Sequence, residues 1–224
     1  MNIGFCNKFL PDLDLASLNE AGFECLSFCL RPNYDAGYAK FARELCFYYS
    51  DEKDFYDAAQ ISSDCGVNRL VIGEDFAFRN AKMLLSLPKM PFDIAIENKR
   101  TCEKAILDFF EETKGSENRF GLCLNTGHSV LFGREAHEVL SLFGERIFSI
   151  HINDNHRTGD YHLPPFRGRG GVDFEKFASV LSKIGYDGEI YLDVRLPDIS
   201  SDNVMEKSLR VLYLIAKEIT ENCI

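Results

Sequence analysis

The feature that most constrains this chain is a series of short apolar runs, each of strand length, separated by stretches of helical period. The runs are Asn2–Cys6, Glu24–Leu30, Arg69–Gly73, Phe92–Asn98, Phe120–Leu124, Ile147–Asn153 and Glu189–Val194. Each is mostly apolar rather than alternating, and each is bounded by Gly, Asn, Asp or Pro. Runs of this kind suit strands buried on both faces, as in a parallel sheet. The segments between them carry helix-end signals. Leu15–Ala21 follows Asp14 and stops at Gly22, Asp51–Cys65 stops at Gly66, and Thr101–Thr113 ends near Gly115. Arg134–Phe143 lies between Gly133 and Gly144, and Phe174–Ile184 follows Asp173 and stops at Gly185. Ser201–Asn222 reads as a long amphipathic helix. Glycine just past a helix end accommodates the left-handed residue there.

Strand–helix alternation with short links predicts an α/β fold around a parallel sheet. Seven strands are clear. An eighth is placed at Leu45–Tyr49, although Tyr38–Tyr49 also reads as a helix. Eight βα units in 224 residues make a compact (β/α)8 TIM barrel, one domain over 1–224. The stretch from Arg31 to Ser50 is short for a full unit, so the second or third βα unit is expected to be incomplete. An open doubly wound sheet is the competing architecture. It lacks its usual phosphate loops: no GxGxxG follows the first strand and no GxxxxGK[ST] occurs.

The formal charge of −10 disfavours phosphate backbones and anionic lipid surfaces, so neither nucleic acid nor membrane is expected as a partner. No run approaches the roughly 18 apolar residues of a membrane span. The N-terminal residues show no signal-peptide pattern. A soluble, cytoplasmic protein is expected. The eight cysteines, at 6, 25, 29, 46, 65, 102, 123 and 223, form no CxxC pair. They read as small buried hydrophobes in a reducing compartment. Against the acidic background, the irregular stretch Asp154–Val172 carries three arginines, four glycines and two histidines. A loop of that length in a compact domain usually has a function.

Polar groups recur where the strands end. Glu97 and Asn98 close the fourth clear run, Asn125 and His128 follow the fifth, His151, Asn153 and Asp154 close the sixth, and Asp193 and Arg195 the seventh. In a parallel barrel these ends share one face, where active sites are built. Glu97, Asn125, His151 and Asp193 are expected to converge there. Two carboxylates, an imidazole and an amide oxygen suit a divalent ion such as Mn²⁺, Co²⁺, Mg²⁺ or Zn²⁺. Two carboxylates facing across a substrate also suit proton shuttling.

Five segments, in order, resemble the xylose isomerase-like barrel superfamily of sugar phosphate isomerases and epimerases. Ile94-Ala95-Ile96-Glu97-Asn98 is similar to the strand that ends in a ligand Glu. Gly121 to His128 resembles the "D-T-x-H" strand end, and His151-Ile152-Asn153-Asp154 the "H-x-x-D" segment. Asp160-Tyr161-His162-Leu163-Pro164-Pro165, then Gly168 to Phe174, is similar to the "D-x-H-L-P-P-G-x-G-x-I-D-F" loop. Lys183 to Val194 resembles the "IGYDG" close. The likeness is good over residues 92–195 and only an outline over 1–91.

The resemblance implies a metal held by Glu97, Asn125, His151 and Asp193, with Glu97 and Asp193 as the catalytic proton-transfer pair acting through an enediolate. Asn125 stands where the family has Asp, and Asp193 where it has Glu. His128 and Arg157 would orient the substrate, with Asn153 and Arg195 as further contacts. The expected substrate is a carbohydrate or sugar phosphate, and a homodimer is compatible with a small barrel. A related lyase shares these parts. The two departures leave open a barrel that binds a sugar-like ligand or a protein partner without turnover. Asp160 and His162 resemble zinc ligands of the superfamily's apurinic endonuclease branch. Residues 1–91 contain no histidine, so a nuclease is the least favoured reading and this pair is expected to organise the loop.

Overall fold

The computed structural model describes residues 1–9, 15–30, 41–48, 51–100, 103–196 and 202–221. These form eight parallel strands: β1 (Asn2–Cys6), β2 (Cys25–Cys29), β3 (Glu44–Phe47), β4 (Arg69–Gly73), β5 (Asp93–Glu97), β6 (Phe120–Asn125), β7 (Ile147–Ile152) and β8 (Glu189–Leu192). Each pairs with the next, and β8 returns to β1, so the sheet closes into a barrel without edges. The eighth strand sits close to where the sequence places it. The competing helix over Tyr38–Tyr49 is corrected over residues 44–47, which are strand. The remainder of the unit between β2 and β3, residues 31–40, lies outside the described residues, and so does Asp14.

The helices are α1 (Leu15–Ala21), α2 (Glu52–Cys65), α3 (Glu74–Arg79), α4 (Ala81–Leu85), α5 (Glu103–Glu112), α6 (Thr126–Leu131), α7 (Ala136–Phe143), α8 (Phe174–Ile184) and α9 (Asp202–Glu221). Where end signals were strong the structure uses them. The Asp51 carboxylate accepts from the Lys53 N–H at 2.7 Å, and Gly66 closes α2 in the left-handed region at φ 66°. Asp173 and Gly185 do the same for α8. No described helix is long and apolar enough to cross a membrane.

Period-two alternation divides the strand side chains between two compartments. Outward residues such as Leu45, Phe47, Leu70 and Ile72 pack under the helices, with Phe47, Phe55 and Phe76 in edge-to-face and stacked contact. Inward residues fill the barrel: Cys6, Cys25, Cys29, Cys46, Cys123, Val71, Ala95 and Tyr191 form a second buried cluster. Thus, while Cys65 is only half-buried and Cys102 and Cys223 lie outside the described residues, five of the eight cysteines serve as small interior fillers. Gly4 is required among them, since a Cβ there would lie 2.4 Å from the Tyr191 ring. At the amino-terminal end, Arg69 bridges Glu44 and Glu189, each at 3.5 Å.

Candidate functional site

Strand ends set the site. Glu97 is the last residue of β5, Asn125 the last of β6, and His151 the penultimate residue of β7, in register with Asn125. Asp193 follows β8 directly. Because all eight strands run the same way and their inward positions alternate, these side chains meet inside the barrel mouth, essentially sealed from solvent. The four residues expected to converge do so.

Asn125 is the hub. Its Nδ2 donates to Glu97 Oε1 at 3.2 Å and to Asp193 Oδ2 at 3.3 Å. Its Oδ1 accepts from the His128 backbone N–H at 3.0 Å, capping α6, and from Asn153 Nδ2 at 2.9 Å. The cap fixes the amide's orientation, because only an oxygen can accept from that N–H. Glu97 Oε1 also accepts from the Tyr48 hydroxyl at 3.2 Å. His151 lies between two carboxylates, with Nε2 2.7 Å from Glu44 Oε1 and Nδ1 3.3 Å from Glu97 Oε1. Asp193 Oδ2 is 3.1 Å from His162 Nδ1 and 3.9 Å from the Lys8 ammonium.

These charges tune one another. Burial pushes the Glu97 carboxyl up, but His151, Lys8 and His128 hold it far below the usual carboxylate range. Asp193 is likewise held down by Lys8, His162 and His151 despite burial. His151 is burdened by desolvation, yet Cys123 and Glu44 raise its proton affinity well above that of a free imidazole. Burial lowers the His162 pKa while Asp193 and Asp160 raise it, the net result being about 10. A histidine whose folded pKa exceeds the unfolded value of about 6.5 adds stability that is complete below that value. The contribution is lost as pH rises through the folded pKa. We therefore expect the melting temperature of chelator-treated protein to fall between about pH 6.5 and 10, and His162→Gln to flatten that fall. Parallel profiles for the two proteins would contradict the assignment.

Glu97 and His151, with Cys123, bring ligand-type atoms within 4.8 Å of one another, a group that could coordinate a divalent cation. His151 Nδ1 and Asp193 Oδ1 are each buried without a hydrogen bond, and His151 Nδ1 lies 3.3 Å from Glu97 Oε1. With Nε2–H held by Glu44, loss of the Nδ1 proton would turn that lone pair toward Glu97, the usual second-carboxylate arrangement behind a metal-bound histidine. Asn125 presents N–H groups to this space, so as oriented it positions the two carboxylates rather than adding a ligand.

A second group lies next to it. His128, Asp160 and His162 bring ligand-type atoms within 4.8 Å of one another. His128 Nε2 is 3.4 Å and His162 Nε2 3.2 Å from the Asp160 carboxylate. Both Nδ1 atoms meet backbone carbonyls, of Asn98 and Asp193, each at 2.9 Å. Those bonds keep a proton on each Nδ1, so that a cation could take the Nε2 position, in His162 by displacing the proton held there. Within the loop Asp160 pairs with His162, and Asp154 and Asn155 hold its backbone. The Asp154 carboxylate accepts from the N–H groups of Gly168 at 2.7 Å and Val172 at 2.9 Å. Asn155 Oδ1 accepts from Tyr161 and His162.

The expected substrate residues separate. His128 and Asn153 are buried beside Asn125. Arg157 is exposed, and its guanidinium is engaged by Glu135 at 2.7 Å and by the Gly170 carbonyl. Arg195 is exposed and lies over the Phe9 ring, 4.7 Å from its centroid. Neither arginine has a partner in the carboxylate cluster among these contacts. Three members of the cluster escaped the sequence reading: Lys8, Glu44 and Tyr48. Their signal was parity, since Lys8 continues Gly4 and Cys6, and Glu44 and Tyr48 flank Cys46 at period two. A cleft of about 230 Å³, lined by Tyr48, Glu74, Phe76, Arg79, Glu97 and Lys99, leads to Glu97.

The model of the xylose isomerase-like TIM barrel family matches residues 82–215. The uncharacterized protein y4fM of Sinorhizobium fredii is 32% identical over 71 residues, which cover 32% of this chain and 22% of that relative. The match thus spans about a fifth of the curated relative. Among solved structures, L-ribulose 3-epimerase superposes with a TM-score of 0.73 at 17% identity, covering 99% of this chain and 95% of that one. D-psicose 3-epimerase with D-tagatose, from Clostridium cellulolyticum H10, gives 0.73 at 12% identity, with 98% and 99% coverage. At these identities the structural likeness is one of fold.

Proposed function

Because the chain belongs to the xylose isomerase-like TIM barrel family, we propose that it interconverts isomers of a small sugar or sugar phosphate by proton transfer at the barrel mouth. The observation that carries this reading is the single Asn125 amide nitrogen holding Glu97 and Asp193, at 3.2 and 3.3 Å. Glu97, which reaches the cleft, takes the proton from the carbon beside the substrate carbonyl. Asp193 serves the opposite side. Both carboxylates are ionised, so each has an oxygen free of a proton, while the cations around them keep their proton affinity low in the free protein. The Lys8 ammonium and the His151 imidazole offset the negative charge that develops on the enediolate oxygens. Tyr48 and Asn125 hold the Glu97 carboxylate in place. Glu97, His151 and Asp193 would hold a divalent ion, for which mixed N/O ligands suit Mn²⁺, Co²⁺ or Zn²⁺. When bound, such an ion supplies Lewis-acid polarisation of a carbonyl or hydroxyl oxygen.

The test is incubation in D₂O with ketoses, aldoses and their phosphates, with and without Mn²⁺ or Co²⁺. Deuterium appearing by NMR at the carbon next to the carbonyl is the expected result. A second reading is favoured by the same amide: both carboxylates are already engaged by protein donors, as in a barrel that binds without turnover. Thermal stabilisation by a sugar with no deuterium uptake would establish that reading and overturn the first.

Asn125 also yields a direct prediction. Asn125→Asp replaces an N–H donor with a fourth oxygen and adds a charge. One added charge at contact distance in a partly screened site is worth more than about 1.4 kcal/mol, so Mn²⁺ binding should tighten at least about tenfold. Without metal the variant should melt lower, since Glu97 and Asp193 lose their shared donor and gain a like charge. Calorimetric titration with Mn²⁺ reads the first effect, and unchanged affinity would refute the three-donor assignment.

A further inference from the structure

Beneath the carboxylate cluster lie three thiols that the proposed reaction does not use. Cys6 closes β1, Cys29 closes β2 and Cys46 lies on β3, in register with Cys29. All three point into the barrel and are 1%, 5% and 0% exposed. The Cys6 and Cys29 sulfurs are 3.7 Å apart, and all three sulfurs lie within 4.8 Å of one another. The other two interior cysteines do not join them. Cys25 meets Tyr191, and Cys123 accepts from the Ser149 hydroxyl at 3.3 Å.

Filling the barrel would need only small apolar volume at each place. Convergence of three sulfurs on one point is an additional property. With metal–sulfur bonds of about 2.3 Å, a trigonal thiolate site needs sulfurs about 4.0 Å apart. The Cys6–Cys29 spacing of 3.7 Å is within a few tenths of an ångström of that value, and neither of the other two spacings exceeds 4.8 Å. The sulfurs are buried, and the Ser27 hydroxyl is 3.1 Å from Cys46 Sγ.

We propose that Cys6, Cys29 and Cys46 form a trigonal binding site for a thiophilic monovalent cation, Cu(I). Thiolates select soft ions over the harder divalent ions that suit Glu97, His151 and Asp193. Three Cu–S bonds form, three thiol protons are released to solvent, and no oxidation state changes.

The experiment titrates the fully reduced, anaerobic protein with Cu(I) against a chromophoric Cu(I) chelator. One equivalent should be retained, with an ultraviolet sulfur-to-copper charge-transfer band. Cys6→Ser, Cys29→Ser and Cys46→Ser should each lose it, whereas Cys25→Ser and Cys123→Ser should keep it. X-ray absorption on the wild-type protein should read three sulfur neighbours, and this needs no variant to fold. Loss of all copper to the chelator by the wild-type protein, nitrogen or oxygen in the coordination shell, or equal loss in the Cys25 and Cys123 variants would each overturn the site. Mn²⁺ binding, measured on the same variants, should be unchanged, so the two metal assignments fail or stand separately.

Discussion

Glu97→Gln should lower the rate of deuterium exchange into substrate about 100- to 10,000-fold, the range that a positioned general base contributes. The change is nearly isosteric. A glutamine oxygen can still accept from the Tyr48 hydroxyl, which now bonds Glu97 Oε1 at 3.2 Å. What disappears is the basic oxygen. The loss should fall on kcat rather than KM, because the base acts as the proton moves and adds little to ground-state binding. The fold should survive. His151 keeps Glu44 at 2.7 Å, and Lys8 keeps Asp193 at 3.9 Å. Circular dichroism and the melting temperature check that point. A Gln variant with wild-type exchange would remove Glu97 from the mechanism. A variant that loses exchange but still gains stability from the same sugar would show that binding and proton transfer are separable here.

How far this site was legible follows from how each residue announces itself. Glu97, Asn125, His151 and Asp193 stand at the ends of apolar runs, where a polar residue has few places to go except the barrel mouth. Strand ends β1 and β4, and helices α1 and α8, were found at their observed limits because apolar length and caps agree there. Other elements carried conflicting local signals. Helix α6 begins at Thr126 with a glycine as its second residue, which reads as a breaker. The structure shows why glycine stands at 127: a Cβ would lie 1.8 Å from Asn153 Oδ1. Strand β3 is flanked by aromatic residues compatible with either period, so Glu44 fell outside the predicted strand. Helices α3 and α4 are only six and five residues long, too short for a periodic pattern to emerge. The arginines of the long loop were attractive because their charge contrasts with that of the whole chain. Charge alone carries no direction, and Arg157 is turned onto Glu135.

The largest stability effect is expected from His151→Ala. This imidazole is fully buried and separates two buried carboxylates, Glu44 and Glu97. Removing one partner of a buried ion pair leaves the other charge uncompensated, at a cost of about 3–5 kcal/mol. For a domain of this size that corresponds to a fall in melting temperature of about 6–20 °C. Glu44 would retain the Ser27 hydroxyl at 2.8 Å and Arg69 at 3.5 Å, which favours the lower part of that range. The effect should peak between about pH 4.3 and 6.5, and the signs follow from the pair. His151 has a raised pKa, so its contribution is complete below about pH 6.5 and fades as pH rises through the folded value. Glu44 is desolvated but held below its ordinary range by His151 and Arg69. Its contribution is therefore complete above about pH 4.3 and fades as pH falls through the lowered value. Between those limits both charges are present, and the imidazole matters most. Glu44→Gln in the His151→Ala background should recover part of the loss, because it removes the charge left without its partner. Thermal or urea unfolding of the four proteins at pH 7 gives the coupling directly. A coupling near zero would mean that Arg69 alone neutralises Glu44, and that His151 is held in the barrel for its Nδ1 rather than for its charge.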